Sequence, residues 1–338
     1  MISALDEQLH SPSTDPSWQE SYYFNWADAD GRYFGLARIG FNPASGTADG
    51  LLITVVDGRL EYVYPAVGVS VTPGELTARA ERGLAVDNLC FTMREPLTRW
   101  NVTLTGRTSV DLTWTALAAP HDYHPNDGHP DTTHDQPGDV VTETATRTAD
   151  AHHFEQVGTV TGLIRVGGRE HRIDALGQRD KSWGVRDWAA ISGWEWITGQ
   201  FGPDLAFNAT LSLVHDSGEP TGFVMRDGVN RALTSVQIDY EWDSTRNVPR
   251  SARLNLVDET GEHYEIRATA LAQVPMIKGN LFLQETHARF ETRVGGVDRV
   301  GVGVVEHAWH ADRRATLRRL PDLLPVLGKA IVGKVRSR

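Results

Sequence analysis

Residues 51–67 read LLITVVDGRLEYVYPAV: two runs, Leu51–Val56 and Leu60–Val67, rich in β-branched and aromatic residues, on either side of Asp57-Gly58. Asp-Gly accepts the positive φ angles of a two-residue type I′ turn, so the stretch predicts a β-hairpin. The same grammar extends in both directions. Upstream, Trp18–Phe24 and Tyr33–Ile39 alternate apolar and polar residues around Asp30-Gly31. Downstream come Val86–Met93, then Trp100–Thr105 and Ser109–Leu117 joined at Gly106, and later Phe154–Val166 and His171–Leu176 joined at Gly167-Gly168. Leu205–Val214, Gly222–Met225, Ala232–Trp242, Ser251–Val257, His263–Ala268, Leu281–Arg293 and Val297–His307 continue the series, with turns such as Asp227-Gly228 and Glu259–Gly261. Gly74–Arg82 alone suggests a helical turn or two. Short strands bounded by turn residues, with no βαβ alternation, predict an all-β antiparallel protein of barrels or sandwiches.

The 338 residues suffice for two domains or one large β body, and 40% hydrophobic with 23% charged residues are globular values. A single cysteine, Cys90, excludes an internal disulfide. The N-terminal residues have neither the basic nor the apolar region of a signal peptide, and no apolar run is long enough to span a membrane, so a cytoplasmic location is expected. The net charge of −11 argues against a nucleic-acid binder. From Asp312 to the end, eight basic residues stand against Asp312 and Asp322; the tail is therefore +6 and the rest of the chain −17. Leucines and valines lie between those cations, and Pro321 and Pro325 are expected to break any long helix there. Such a tail either packs as a cap on the body or rests on an anionic membrane.

Between Ala118 and Asp139, prolines and Asp, Asn and Gly residues predict a long loop or domain boundary. His121, His124, His129 and His134 alternate there with Asp122, Asp127, Asp131 and Asp135, but their spacing fits no rigid ligand template, and no metal is expected. Nucleotide loops, HExxH, GxSxG and paired CxxC are absent. Gly301-Val302-Gly303 lies in a strand-like run without a following helix and reads as close strand packing. No cofactor is expected.

Leu176–Phe201, LGQRDKSWGVRDWAAISGWEWITGQF, is the chemical anomaly, packing Arg179, Asp180, Lys181, Arg186 and Asp187 among four tryptophans. Extended backbone puts Asp180 and Ser182 on one face and Arg179, Lys181 and Trp183 on the other. By the same alternation Trp194, Trp196 and Thr198 share a face opposite Glu195. Aromatic walls stabilise a cation, and a carboxyl group in an apolar pocket becomes a general acid. The bland alternative is core tryptophans with structural ion pairs.

Arg179-Asp180-Lys181-Ser182-Trp183-Gly184 resembles the D-H-x-W-G element of the carotenoid 1,2-hydratase (hydroxyneurosporene synthase) and AttH-like superfamily. Further pieces resemble an uncharacterised bacterial branch of it: Trp18–Phe24 (with Tyr22), Glu95-Pro96 followed by Trp100, His153-Phe154-Glu155-Gln156, and Gly301-x-Gly303-x-x-Glu306. The resemblance implies two tandem lipocalin-like barrels, over 1–140 and 141–311, followed by the 312–338 tail. It also implies an apolar ligand cavity and no metal or organic cofactor; known relatives hydrate isoprenoid double bonds or assist cyclisations. The family's aspartate and tryptophan fall on Asp180 and Trp183, whereas Lys181 occupies its histidine position, which leaves the proton donor to another group. The tyrosine and aspartate that follow in the carotenoid enzymes have no match around Phe207–Leu213.

The expected function is therefore a cofactor-independent hydratase or dehydratase of a small isoprenoid or similarly apolar alkenol. A neutral carboxylic acid, Asp180 before Glu155 or Glu195, would act as proton donor, with Lys181 as an orienting group. Trp183, Trp194, Trp196, Tyr22 and Arg179 would line the substrate site. A non-catalytic carrier, or an isomerase or cyclase, is the alternative.

Overall fold

The computed structural model describes residues 1–72, 83–123, 152–186, 192–214, 217–243, 248–278, 281–310 and 313–336. The helical turn expected at 74–82, His124, His129 and His134, and Asp187 and Trp188 lie outside them. Strands β1 (Trp18–Ala27), β2 (Tyr33–Asn42), β3 (Thr47–Val56) and β4 (Arg59–Ser70) form an antiparallel meander. It is followed by β5 (Leu84–Val86), β6 (Leu89–Glu95), β7 (Arg99–Leu104), β8 (Ser109–Ala116) and the two-residue β9 (His121–Asp122). β10 (His152–Val166) and β11 (Arg169–Val185) complete the sheet, in the order β4-β3-β2-β1-β11-β10-β8-β7-β6-β5. It curls until β5 returns against β2 and β3. β12 (Gly193–Gln200), β13 (Leu205–Val214), β14 (Ser217–Arg226), β15 (Val229–Asp243), β16 (Val248–Asp258), β17 (His263–Lys278), β18 (Leu281–Val294) and β19 (Val297–His310) form a closed antiparallel barrel.

The hairpins follow from their turn chemistry. Asp57 and Gly58 have φ of 48° and 72°, and Asp227-Gly228, Gly167-Gly168 and Gly295-Gly296 likewise have φ > 0 at both positions, as a type I′ turn demands. Val86–Met93, expected as one strand, is broken by Asp87 at φ 54° into the β5–β6 hairpin. The change of sheet falls between Val185 and Gly193, not at 140/141. The β10–β11 hairpin, placed by the sequence in the second domain, instead fills the gap between β1 and β8 of the first sheet. Gly301 and Gly303 do reflect close packing: a Cβ on Gly303 would stand 2.0 Å from the Thr198 carbonyl oxygen on β12.

Each barrel interior is filled. The first holds Tyr22, Phe24, Trp26, Phe91, Trp100 and Trp114; the second holds Ile197, Phe207, Leu254, Tyr264 and Phe290 among others. A third apolar cluster joins them, with Phe34, Leu36, Ile53 and Val63 of the first barrel against Trp196, Val274, Val302 and Val304 of the second. The strands at this junction bury both faces, one in a barrel and one between barrels.

After β19 the chain forms α1 (Arg313–Arg336), which continues through Pro321 and Pro325 and so departs from the expected break. Both prolines are exposed, while the opposite face is held by packing that outweighs their missing N–H donors. Leu323 is buried, Val326 and Ala330 join the inter-barrel cluster, Lys329 Nζ donates to the Glu61 carbonyl at 2.9 Å, and Gly333 passes so close to β4 that a Cβ would lie 2.0 Å from the Val63 oxygen. α1 contacts β4 and β17 and thus straps one barrel to the other. No helix among the described residues is long and apolar enough to cross a membrane.

Candidate functional site at the barrel junction

Strand alternation divides the expected site residues among three places. On β11, Arg179, Lys181 and Trp183 turn into the first barrel. There Arg179 is paired with the buried Glu7 and hydrogen-bonded to Gln156. Lys181 is paired with the buried Glu20, over the rings of Tyr22 and Trp183 at 4.5 and 4.6 Å. Trp183 stacks on His10 at 4.1 Å, and the Tyr22 hydroxyl donates to the Glu7 carbonyl at 3.1 Å. These groups fix the N-terminal segment as a plug. Burial alone would discharge Glu20, but Lys181 and His10 outweigh it and hold its pKa below the usual carboxylate range. Glu195 points into the second barrel, where it accepts from Tyr240 and contacts His307. Arg179, Lys181, Trp183 and Tyr22, and separately Glu195, are therefore apart from the remaining candidates.

Those remaining come together between the barrels. Asp180 and Glu155 are cross-strand partners on β11 and β10. His153, two residues before Glu155 on the same face, places Nε2 2.6 Å from Asp180 Oδ2 and 3.2 Å from Glu155 Oε1. Trp196 Nε1 donates to Glu155 Oε1 at 2.7 Å across the junction. Gln178 donates to the other Glu155 oxygen and accepts from Thr198, so β11 and β12 share one chain of hydrogen bonds. Trp194 donates to Glu306 of β19, whose cross-strand partner is Glu285 of β18. Tyr23 lies edge-on to Trp196 at 5.7 Å.

The electrostatics separate these acids. Burial lowers the His153 pKa, but Asp180 and Glu155 outweigh it and hold it at about 9, so the imidazole is cationic. Burial would raise Asp180, yet His153, Arg186 and Arg38 keep it below the usual range and ionised. Burial raises Glu155, and neither His153 nor Trp196 cancels that effect while Asp180 adds to it. Glu285 is pushed well up by burial and by Glu306, which is itself raised by burial. The direction for Asp180 is opposite to the neutral form expected from sequence, because two arginines and a histidine surround it. The Lys181 ammonium, on the other face, does not meet Asp180; His153 does, from the neighbouring strand.

A small cavity of about 10 Å³, room for about one water molecule, adjoins this network, with Phe34, Asn25, Gln178, Thr198, Gln200 and Val302 among its walls. Asn25 Nδ2 and Gln200 Oε1, both wall groups, have no hydrogen-bond partner among the described residues, nor do the buried Tyr23 hydroxyl and Glu285 Oε2. Buried polar atoms are rarely left unpaired, and a donor beside an acceptor suits a hydroxyl group. His153, Glu155 and Asp180 have the donor types of a metal site, with one ligand atom from each within 4.8 Å of the others. His121 packs on Phe223 at 4.7 Å between the barrels, and burial lowers its pKa to about 4.

His153, Tyr23, Gln178, Glu285, Glu306, Arg38 and Arg186 received no role from sequence. Their signal was weak: a polar residue on one face of an otherwise apolar strand, as with Glu306 after Val302 and Val304.

Two antiparallel barrels with an acidic, tryptophan-lined junction define a tandem lipocalin-like β-barrel protein. The chain belongs to the family described as Domain of unknown function (DUF7064), whose model matches residues 3–311. No curated protein matches it. Among solved structures, an AttH protein from Nitrosomonas europaea is 16% identical with a TM-score of 0.61, over 91% of this chain and 96% of that one. Kievitone hydratase from Nectria haematococca is 15% identical with a TM-score of 0.60, over 91% and 93%. CghA is 13% identical with a TM-score of 0.61, over 90% and 94%. At these identities the likeness is one of fold.

Proposed function

We propose that the chain is a cofactor-independent hydratase or dehydratase of a compact apolar alkenol, with small isoprenoids as the substrate class, and that it represents a bacterial branch of the AttH-like superfamily. The observation that carries the reading is the pair of opposed carboxyls: Glu155, raised by burial, beside Asp180, held ionised by His153 and two arginines. A hydratase of the same fold supports it.

In the hydration direction, the Glu155 carboxyl gives its proton to one alkene carbon, and the neighbouring carbon becomes cationic between the indoles of Trp194 and Trp196. A water oxygen bonds to that carbon as Asp180 takes the water's proton. His153 Nε2, in reach of both carboxyls, returns a proton from Asp180 to Glu155 and resets the site. Dehydration is the reverse. Asn25 and Gln200 would hold the hydroxyl.

The test is a panel of terpenes and terpene alcohols incubated in ¹⁸O-labelled water with the wild type and Glu155→Gln. Label incorporation that falls by at least about 100-fold in the variant, at an unchanged melting temperature, is the expected result. Rearrangement without label would instead identify an isomerase, saturable binding without product a carrier, and full activity in the variant would remove Glu155 from the mechanism.

A further inference from the structure

Helix α1 has two apolar faces, and the strap accounts for one of them. Leu323, Val326, Ala330 and Gly333 face β4 and the inter-barrel cluster. On the other side Leu317, Leu320, Leu324, Leu327 and Ile331 are 39–69% exposed. Their spacing of three and four residues lines them up along the helix as one stripe. Single exposed leucines are ordinary, but a contiguous aliphatic stripe is a mark of an interaction surface.

The charges around the stripe choose among occupants. Arg314 and Arg318 are exposed near its start and Lys334 near its end. Of the two acids in the tail, Asp322 is 3.6 Å from Arg319 on the buried side, and Asp312 lies outside the described residues. A second copy docked helix to helix would bring two sets of cations together, while Asp322, the one acid of the described helix, is engaged with Arg319. A cationic helix whose outer face is aliphatic matches an anionic lipid surface, into which the leucines insert while the arginines meet the headgroups. Placing the +6 segment on one strap of an otherwise −17 chain also orients the body away from that surface.

We infer that α1 is a peripheral membrane-docking helix that lies in the interface of anionic bilayers through Leu317, Leu320, Leu324, Leu327 and Ile331, with Arg314, Arg318 and Lys334 at the headgroups. It straps the barrels with one face and holds the protein on the bilayer with the other. The inference is independent of the chemistry at the junction.

Vesicle flotation of the full chain tests it, with phosphatidylcholine vesicles containing either no anionic lipid or about 30% phosphatidylglycerol. The wild type should float with the anionic vesicles and be released at about 0.5 M salt. The triple variant Leu317→Gln/Leu324→Gln/Ile331→Gln should lose at least about tenfold in vesicle affinity at an unchanged melting temperature, since its three side chains are exposed. Arg314→Gln/Arg318→Gln should weaken binding to the anionic vesicles and leave the melting temperature unchanged. Absence of wild-type flotation, or flotation of the triple variant equal to the wild type, would overturn the inference. So would a wild-type dimer in light scattering that the triple variant converts to monomer without any vesicle binding, because the stripe would then belong to a second copy.

Discussion

Replacing His153 by Gln should remove a loss of stability that the wild type shows between neutral pH and pH 9. In the folded chain, Asp180 and Glu155 hold the imidazole at about 9 although burial works against them. In the unfolded chain the same group titrates near 6.5. The folded state therefore binds a proton that the unfolded state has released, so the stabilisation is fully present below pH 6.5 and is lost as pH rises through 9. The gap between about 9 and 6.5, at about 1.4 kcal/mol per pH unit, comes to about 3 kcal/mol. With 17% of its side-chain surface exposed, His153 should realise somewhat less than that limit. Urea unfolding at about pH 6.5, 7.5, 8.5 and 9.5, followed by tryptophan fluorescence and circular dichroism, reads the slope. The wild-type midpoint should fall across the series, and that of His153→Gln should be lower at the start and nearly flat. A flat wild-type series, or equal slopes in both proteins, would refute the cationic imidazole and with it the ionised Asp180 on which the proton relay depends.

Three further outcomes follow from the packing. Glu7→Ala should destabilise by about 3–5 kcal/mol in urea titrations, because it leaves the Arg179 guanidinium buried without its carboxylate and loosens the plug of the first barrel. His287, stacked on Phe34 with neither ring nitrogen partnered among the described residues, has its pKa lowered by burial to about 4. It must charge on unfolding, so stability should fall by up to about 3 kcal/mol as pH drops from 6.5 toward 4, and His287→Phe should remove that share of the acid limb; an unchanged limb would refute the assignment. Gly303→Ala should cost at least about 1–3 kcal/mol, since its Cβ would meet the Thr198 carbonyl of the neighbouring strand; an unchanged melting temperature would mean that the β12–β19 pairing is looser than described.

Architecture was legible because turn chemistry is local. Asp57-Gly58 and Asp227-Gly228 announce their hairpins within two residues, and the alternation around them fixes which residues share a face. Two things depended on distant partners. The membership of β10 and β11 in the first sheet rests on β1 and β8 offering edges to them, which no spacing reveals. Helix α1 survives Pro321 and Pro325 because β4 and the inter-barrel cluster hold its other face, whereas propensity alone predicts a break. The faces of Gln178–Trp183 and of Trp194–Thr198 were correctly separated by alternation, but not which face carries chemistry. In a single barrel, one face of a strand is core and the other is solvent. In β11 and β12 both are buried, so Lys181 and Asp180, or Glu195 and Trp196, look equally interior in the sequence.

That double burial also explains why the candidate chemistry sits between the barrels. Inside the first barrel the charges of Arg179 and Lys181 are matched by Glu7 and Glu20, and inside the second Glu195 is matched by Tyr240 and His307. At the junction the matching is incomplete. Glu155 and the Glu285–Glu306 pair are raised by burial, and the Tyr23 hydroxyl, Asn25 Nδ2 and Gln200 Oε1 lack partners among the described residues. A group that is both buried and short of hydrogen bonds costs stability, and such costs concentrate where a ligand completes the bonding. Neither barrel holds the set alone: Asp180, His153 and Glu155 come from the first, and Trp194, Trp196, Glu285 and Glu306 from the second. The strap α1 touches β4 on one side and β17 on the other, and so joins the two barrels that supply these residues.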